Sequence, residues 1–369
     1  MQVARVNAKA IVFPFLALAL AGAFALGEQQ LAQLPAAMAA APVLVAIVVL
    51  VGAVLAALRH AEVISLKIGE PYGTLVLTIS VTIIEVTLMA SMIRHGADDP
   101  TEAREAVFSA IMIVCNGLVG LCLLLGGLRH REQEVHPMAA SAYLAVLSAL
   151  SILTLVLPNY TNPNGSPAHT VVQLLSVSVL SPLLYGAFLF MQTVRHQSYF
   201  LDAHAAALRH SLEKPSLTQT GVAIVGMAAS LVGVGLLARH VVPGLEDSLR
   251  WVGVEDINPV TGAALAMLVL LPESLNSLRA AAQNALQTAL NGALGSVVST
   301  IGLTAPAVAI MSLAMDRPII FGLDQRDTLL LTLTLLLSVI SFGSGRTNVL
   351  TGLVHLVVFS IYVVYLFVP

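Results

Sequence analysis

Charge is what this chain of 369 residues has least of: Asp, Glu, Lys and Arg together make up 10%, against roughly 25% in a soluble domain. Aromatic residues reach only 5%, with a single tryptophan. So little charge cannot cover a globular surface in water, and 57% hydrophobic residues with a mean hydropathy of +0.90 point to a lipid bilayer as the partner. The formal net charge of -3 offers no basic surface to a nucleic acid. Cysteine is scarce too. Cys115 and Cys122 fall in one apolar run, where a helix would hold them about 10 Å apart, beyond disulfide reach. No HExxH or GxSxG motif occurs, and every aspartate is expected in a loop, which sets aside zinc, serine and aspartyl chemistry inside a membrane. The expectation is a transporter with no cofactor, not an enzyme.

Long apolar runs are plentiful. At about 20 residues per span they predict an all-α polytopic membrane protein of eleven transmembrane helices, near residues 10–26, 42–58, 73–93, 106–127, 139–157, 170–191, 221–238, 258–280, 289–314, 328–343 and 349–368. The first is read as a retained helix in preference to a cleaved leader, although Arg5 and Lys9 precede it. Lys and Arg in short loops set the orientation. With the N-terminus in the cytoplasm, eleven of them lie inside and six outside, and the C-terminus is external.

Behind the leading helix and external loop (residues 1–41), ten helices divide into 42–194 and 221–369 around a cytoplasmic linker, 195–220. Five is odd, so the halves run oppositely through the membrane as inverted five-helix repeats, the plan of many secondary transporters. One acid interrupts an uncharged run in each half: Glu85 within 74–92 and Glu273 within 261–278, the latter just after Pro272. An ionised group at that depth costs about 2.5–3.5 kcal/mol on insertion scales, so such acids mark ion or proton pathways. Gly73 precedes Glu85 by twelve residues and Gly262 precedes Glu273 by eleven. The helix after each acid is rich in small and polar residues: Ser109, Asn116, Gly117 and Gly120 in one, Gly292, Gly295, Ser296, Ser299, Thr300 and Gly302 in the other.

Three stretches carry a resemblance: GEPYGTLVLTISVTIIEV (69–86), LVLLPESL (268–275) and SFGSGRTNVLTG (341–352). In these the chain resembles the bacterial ChaA-type branch of the calcium/cation antiporter superfamily. The resemblance implies eleven helices, two inverted repeats, and exchange of Ca2+, Na+ or K+ against protons. It also implies an essential acid in each repeat, falling on Glu85 and Glu273, with polar partners at Asn116 and at the Gly295, Ser296 and Ser299 segment.

The residues themselves suit that chemistry. Ca2+ takes six to eight oxygen ligands, and two carboxylates neutralise it. When the ion leaves, the acids repel and lose solvation, so their proton affinity rises and protons replace the cation. Glu85 and Glu273 are the expected metal ligands, with Thr82, Ser80, Asn116, Ser296, Ser299 and Thr300 as secondary ligands and carbonyls freed near Pro272 as further ones. A plain interhelical hydrogen bond is the rival role for Asn116, and backbone bonding the rival for Ser299 and Thr300. Glu62 and Glu70 are expected at a cytoplasmic vestibule, as cation attractors or as solvated acids, Glu62 paired with Lys67 in the second case.

His355 is expected as a packed histidine or a proton relay, Arg346 in a tight turn, and the acidic stretch 97–105 as a hydrated loop. His196, His204 and His210 are read as belonging to a solvated linker. The partners expected are inorganic cations, protons and lipid, in a bacterial plasma membrane. Calcium efflux leads, sodium or potassium exchange is the alternative, and a passive cation channel is the remaining rival.

Overall fold

The computed structural model describes residues 8–31, 36–69, 72–95, 100–161, 169–200 and 214–368. They form α1 (Ala8–Leu31), α2 (Ala36–Ile68), α3 (Tyr72–His95), α4 (Glu102–Met112), α5 (Val119–His130), α6 (Pro137–Ser151), α7 (Pro158–Thr161), α8 (Val171–Phe190), α9 (Gln197–Phe200), α10 (Leu217–Val252), α11 (Ile257–Ala282), α12 (Leu286–Ser299), α13 (Ala305–Ala314), α14 (Gln325–Gly343) and α15 (Val349–Phe367). Wide turns with i→i+5 bonds join α4 to α5 (Ile113–Leu118) and α12 to α13 (Thr300–Thr304), so that each pair makes one span. Among the described residues, eleven helices are long and apolar enough to cross a membrane, each overlapping an expected span. This is a multi-pass, all-helical membrane protein.

Two spans outrun the hydropathy reading. The second continues past Leu58 to Ile68, and there Arg59 reaches Glu62 one turn on at 3.0 Å, a pairing that suits a helix leaving the apolar layer. The seventh continues past Arg239 to Val252, where Arg250 pairs with Asp247 at 3.1 Å, and Gly253 ends it at φ 90°, a left-handed turn that glycine adopts without strain. Asp247 and Asp327 therefore lie in helices, against the expectation that every aspartate sits in a loop.

Contacts divide the chain into two compact units, residues 1–95 with 210–257, and residues 96–209 with 258–369. Each unit draws helices from both halves of the sequence. In the first, α1, α2, α3 and α10 pack together. There α3 and α10 run parallel: Ser80 Oγ meets Met227 Sδ at 3.4 Å, and Ser91 Oγ donates to the Ala238 carbonyl at 2.9 Å, both with a sequence offset of 147.

In the second unit, α5 and α15 approach closely through Gly120 and Gly352. A Cβ on Gly352 would lie 2.6 Å from the Leu124 amide nitrogen and 2.9 Å from the Gly120 carbonyl oxygen. Small residues of this kind let helices pack at short range where lipid offers no hydrophobic drive. Below the pair, Glu132–Glu134 and Arg346–Asn348 form an antiparallel two-stranded ribbon, Gln133 opposite Thr347. Arg346 follows the expected turn, where Gly345 has φ 72°, but its guanidinium meets Glu134 at 3.5 Å and Glu132 at 3.8 Å on the ribbon's exposed face.

Candidate functional site

Glu85 lies in α3 of the first unit and is 5% exposed. Thr82 is one turn before it on the same helix, and residues three apart share a face. The Thr82 hydroxyl oxygen is buried and has no hydrogen-bond partner among the described residues. Ser80 differs: its hydroxyl donates to the Val76 carbonyl at 2.7 Å and also touches Met227, so its oxygen is largely committed.

Glu273 lies in α11 of the second unit, partly buried. Pro272 sits inside this helix, and because proline has no N–H the Leu268 carbonyl loses its intrahelical donor. A tight reversal at residues 283–285, with Asn284 at φ 61°, turns the chain from α11 into α12. The two helices touch where Gly292 meets Ser277: a Cβ on Gly292 would lie 3.1 Å from Ser277 Oγ. Glu273 lies four residues before Ser277, and Ser296 lies four after Gly292.

The Ser296 hydroxyl oxygen is likewise buried without a partner among the described residues, while its carbonyl accepts from Ser299 Oγ at 2.7 Å and Thr300 Oγ1 at 3.1 Å. Ser299 and Thr300 thus return their protons to their own helix, the local bonding typical of hydroxyls on apolar helices. Thr300 also opens the wide turn, where Ser299 and Thr300 are 5% and 1% exposed.

Asn116 occupies the equivalent wide turn after α4 and is fully buried. Its amide nitrogen donates to Thr334 Oγ1 of α14 at 2.7 Å, and its Oδ1 is 3.1 Å from His355 Nδ1 of α15. An amide oxygen only accepts, so His355 carries its proton on Nδ1, and Nε2, 2.9 Å from Ser341 Oγ, accepts from that hydroxyl. Asn116 is therefore an interhelical brace joining three spans, and His355 is a packed, hydrogen-bonded histidine. No bond joins Asn116 to Ser296, Ser299 or Thr300 among the described residues.

Other expected features fall elsewhere. Glu62 pairs with Arg59, not Lys67, whose ammonium donates to the Pro215 carbonyl at 3.0 Å. Glu70, His204 and His210 lie outside the described residues. Of the acidic stretch 97–105, residues 97–99 lie outside the described residues, and Glu102 and Glu105 are each 4% exposed in the first turn of α4, in place of the expected hydrated loop. Arg104 binds Glu105 through both Nε and Nη2, at 2.8 and 2.5 Å, and the Gly322 carbonyl through Nη1 at 2.9 Å. Sequence reading also passed over Ser277, four residues after Glu273 and 2% exposed. Its spacing from the acid was the available signal.

The sodium/calcium exchanger protein family model matches residues 38–194 and 222–368. A putative ionic transporter, y4hA, of Sinorhizobium fredii is 42% identical over 322 residues, 87% of each chain. The sodium-potassium/proton antiporter ChaA of Escherichia coli is 35% identical over 366 residues, covering 97% of this chain and 95% of that one. Among solved structures, the Ca2+/H+ antiporter YfkE superposes with a TM-score of 0.72 at 17% identity, covering 97% of this chain and 100% of its own.

Proposed function

Because the chain belongs to the sodium/calcium exchanger protein family, we propose that it is a secondary active cation/proton antiporter that exports Ca2+ in exchange for H+ by alternating access. One observation carries this reading. In each half an acid stands in an otherwise uncharged run, and a buried hydroxyl oxygen with no partner among the described residues lies one turn before Glu85, at Thr82, and on the helix after Glu273, at Ser296. A buried hydroxyl without a partner costs about 1–3 kcal/mol. It is retained where it serves something that comes and goes.

The two carboxylates supply the charge of one Ca2+, and hydroxyls, carbonyls and retained water complete its oxygen shell. Departure of the ion raises the acids' proton affinity, and protonation restores neutrality so that the protein can return. Ser299, Thr300 and Asn116 act through this shell, with Asn116 fixing the helix that follows Glu85. The duplicated family match supports inverted repeats over 42–194 and 221–369. The Lys and Arg distribution supports an N-terminus in the cytoplasm of a bacterial plasma membrane.

A second reading makes Na+ or K+ the main substrate. It is favoured by the name of the 35% identical relative, a sodium-potassium/proton antiporter. Both readings are tested in everted vesicles carrying an imposed proton gradient, with Ca2+, Na+ and K+ added separately to wild type, Glu85→Gln and Glu273→Gln. Collapse of the gradient by a cation, abolished by either substitution, is expected, and the relative responses identify the ion. Cation flux without proton movement would overturn antiport in favour of a channel.

A further inference from the structure

We infer that Ser277 is a further cation ligand, its hydroxyl holding a partly dehydrated hard cation one helical turn from Glu273. The inference rests on the reading of Glu273 as a cation-binding acid. Its own support is that Ser277 is a buried, unpartnered helical hydroxyl one turn from that acid, a position not shared by Ser151 and Ser178, which are also buried without a partner among the described residues. Ser80, Ser230, Ser338 and Ser360 each donate to the carbonyl four residues back, at 2.7 to 2.8 Å. Such bonding lets a hydroxyl enter an apolar helix at little cost. Ser277 makes no such bond. It is 2% exposed, and its Oγ has no hydrogen-bond partner among the described residues.

The direction of that hydroxyl is fixed by its neighbour. Ser277 Oγ faces Gly292 across the α11–α12 hairpin, 3.1 Å from where a Cβ would stand. Gly292 is exposed, and Glu273 and Ser296, one turn away on the two helices, are partly exposed. Helix α11 therefore carries a carboxylate and, one turn on, an uncommitted hydroxyl oxygen facing a residue with no side chain, and Ser296 on α12, four residues after Gly292, carries a second such oxygen. Neutral oxygen ligands in series beside a carboxylate are the chemistry that strips water from a hard cation in steps. Gly292 leaves room for the ion and its remaining water.

Equilibrium cation binding to the purified protein in detergent, with Ca2+, Na+ and K+ as separate probes, tests this without relying on proton coupling. Ser277→Ala should weaken binding of the transported cation by about fivefold, which is the loss of one modest ligand. Gly292→Ala, which sets a methyl against Ser277 Oγ, should weaken it in the same direction. Because Ser277 makes no internal hydrogen bond, Ser277→Ala should leave the melting temperature unchanged or raised. Ser230→Ala, which removes a bonded buried hydroxyl remote in sequence from the acids, should leave cation binding unchanged.

Binding within about twofold of wild type, or a lowered melting temperature in Ser277→Ala with affinity intact, would overturn the inference and make Ser277 a packing residue. Loss of binding in Glu273→Gln alone would overturn it while the transport reading stands. Cation binding without vesicle proton exchange would overturn antiport and leave the Ser277 assignment in place. No cation binding by folded wild-type protein would overturn both.

Discussion

Asn116→Ala separates bracing from ligation at a residue that the sequence leaves open. The substitution removes the bond to Thr334 at 2.7 Å and the acceptor of His355 Nδ1 at 3.1 Å. Thr334 keeps a partner, because its hydroxyl also lies 2.7 Å from the Leu330 carbonyl. His355 does not fare as well. It is fully buried, and its Nδ1 proton would lose the acceptor that Asn116 supplies.

Interhelical hydrogen bonds in membranes average about 0.6 kcal/mol with a maximum near 1.7, so the two bonds contribute about 1–2 kcal/mol. The weakened pairing of the buried His355 ring, which keeps the Cys115 carbonyl as an acceptor, adds up to about 1, and the shortened side chain leaves a cavity worth about 1 more. These overlap, and a total of about 2–4 kcal/mol is expected. Reversible unfolding in mixed micelles measures it, and a double-mutant cycle with His355→Leu should return a coupling of about 1 kcal/mol, within the range for residues in contact. Cation affinity of the surviving folded protein should stay within about twofold of wild type. Unchanged stability together with a tenfold loss of affinity would refute the reasoning and make Asn116 a ligand.

Gly352→Ala puts a Cβ 2.6 Å from a backbone nitrogen, and overpacking of this kind costs about 1–3 kcal/mol; folded yield and melting temperature should both fall, whereas Gly186→Ala, with nothing within 4 Å, should be neutral or stabilising. Arg104→Met removes the doubly bonded partner of the 4% exposed Glu105 carboxylate, and breaking one side of a buried pair costs about 3 kcal/mol; Glu105→Gln, which leaves the 15% exposed Arg104 guanidinium with an amide oxygen and the Gly322 carbonyl, should cost less in the same unfolding assay. Burial pushes the His169 imidazole below its ordinary value of 6.5, against a weaker opposing bond to the Thr154 carbonyl. The neutral ring is therefore the folded form, its stabilisation is complete above pH 6.5, and it declines as the pH falls through the unfolded value toward the lowered folded one. With the intrinsic pH dependence of exchange divided out, the protection of amides near Thr170 should fall between pH 7.5 and about 5.5, and His169→Gln should flatten that dependence.

What the sequence made legible was whatever depends on composition along one helix. The eleven spans found among the described residues follow from hydropathy, and the two acids stand out as charges out of place, because the bilayer penalises every exception. What it hid depends on which side of a helix faces which neighbour. Asn116 and Ser296 are both polar residues on the helix after an acid, and nothing local distinguishes them. One is tied to two other spans through Thr334 and His355, which follow it by 218 and 239 residues, and the other has its hydroxyl uncommitted. Ser299 and Thr300 donate to the Ser296 carbonyl while Ser277 donates to no described residue, a difference that spacing along the helix does not reveal. The wide turns at Ile113–Leu118 and Thr300–Thr304 were equally hidden, since an extra residue in a turn shifts a helix face without altering its hydropathy. Composition along the chain therefore finds the helices, and hydrogen-bond accounting across them finds which polar side chains tie the helices together and which do not.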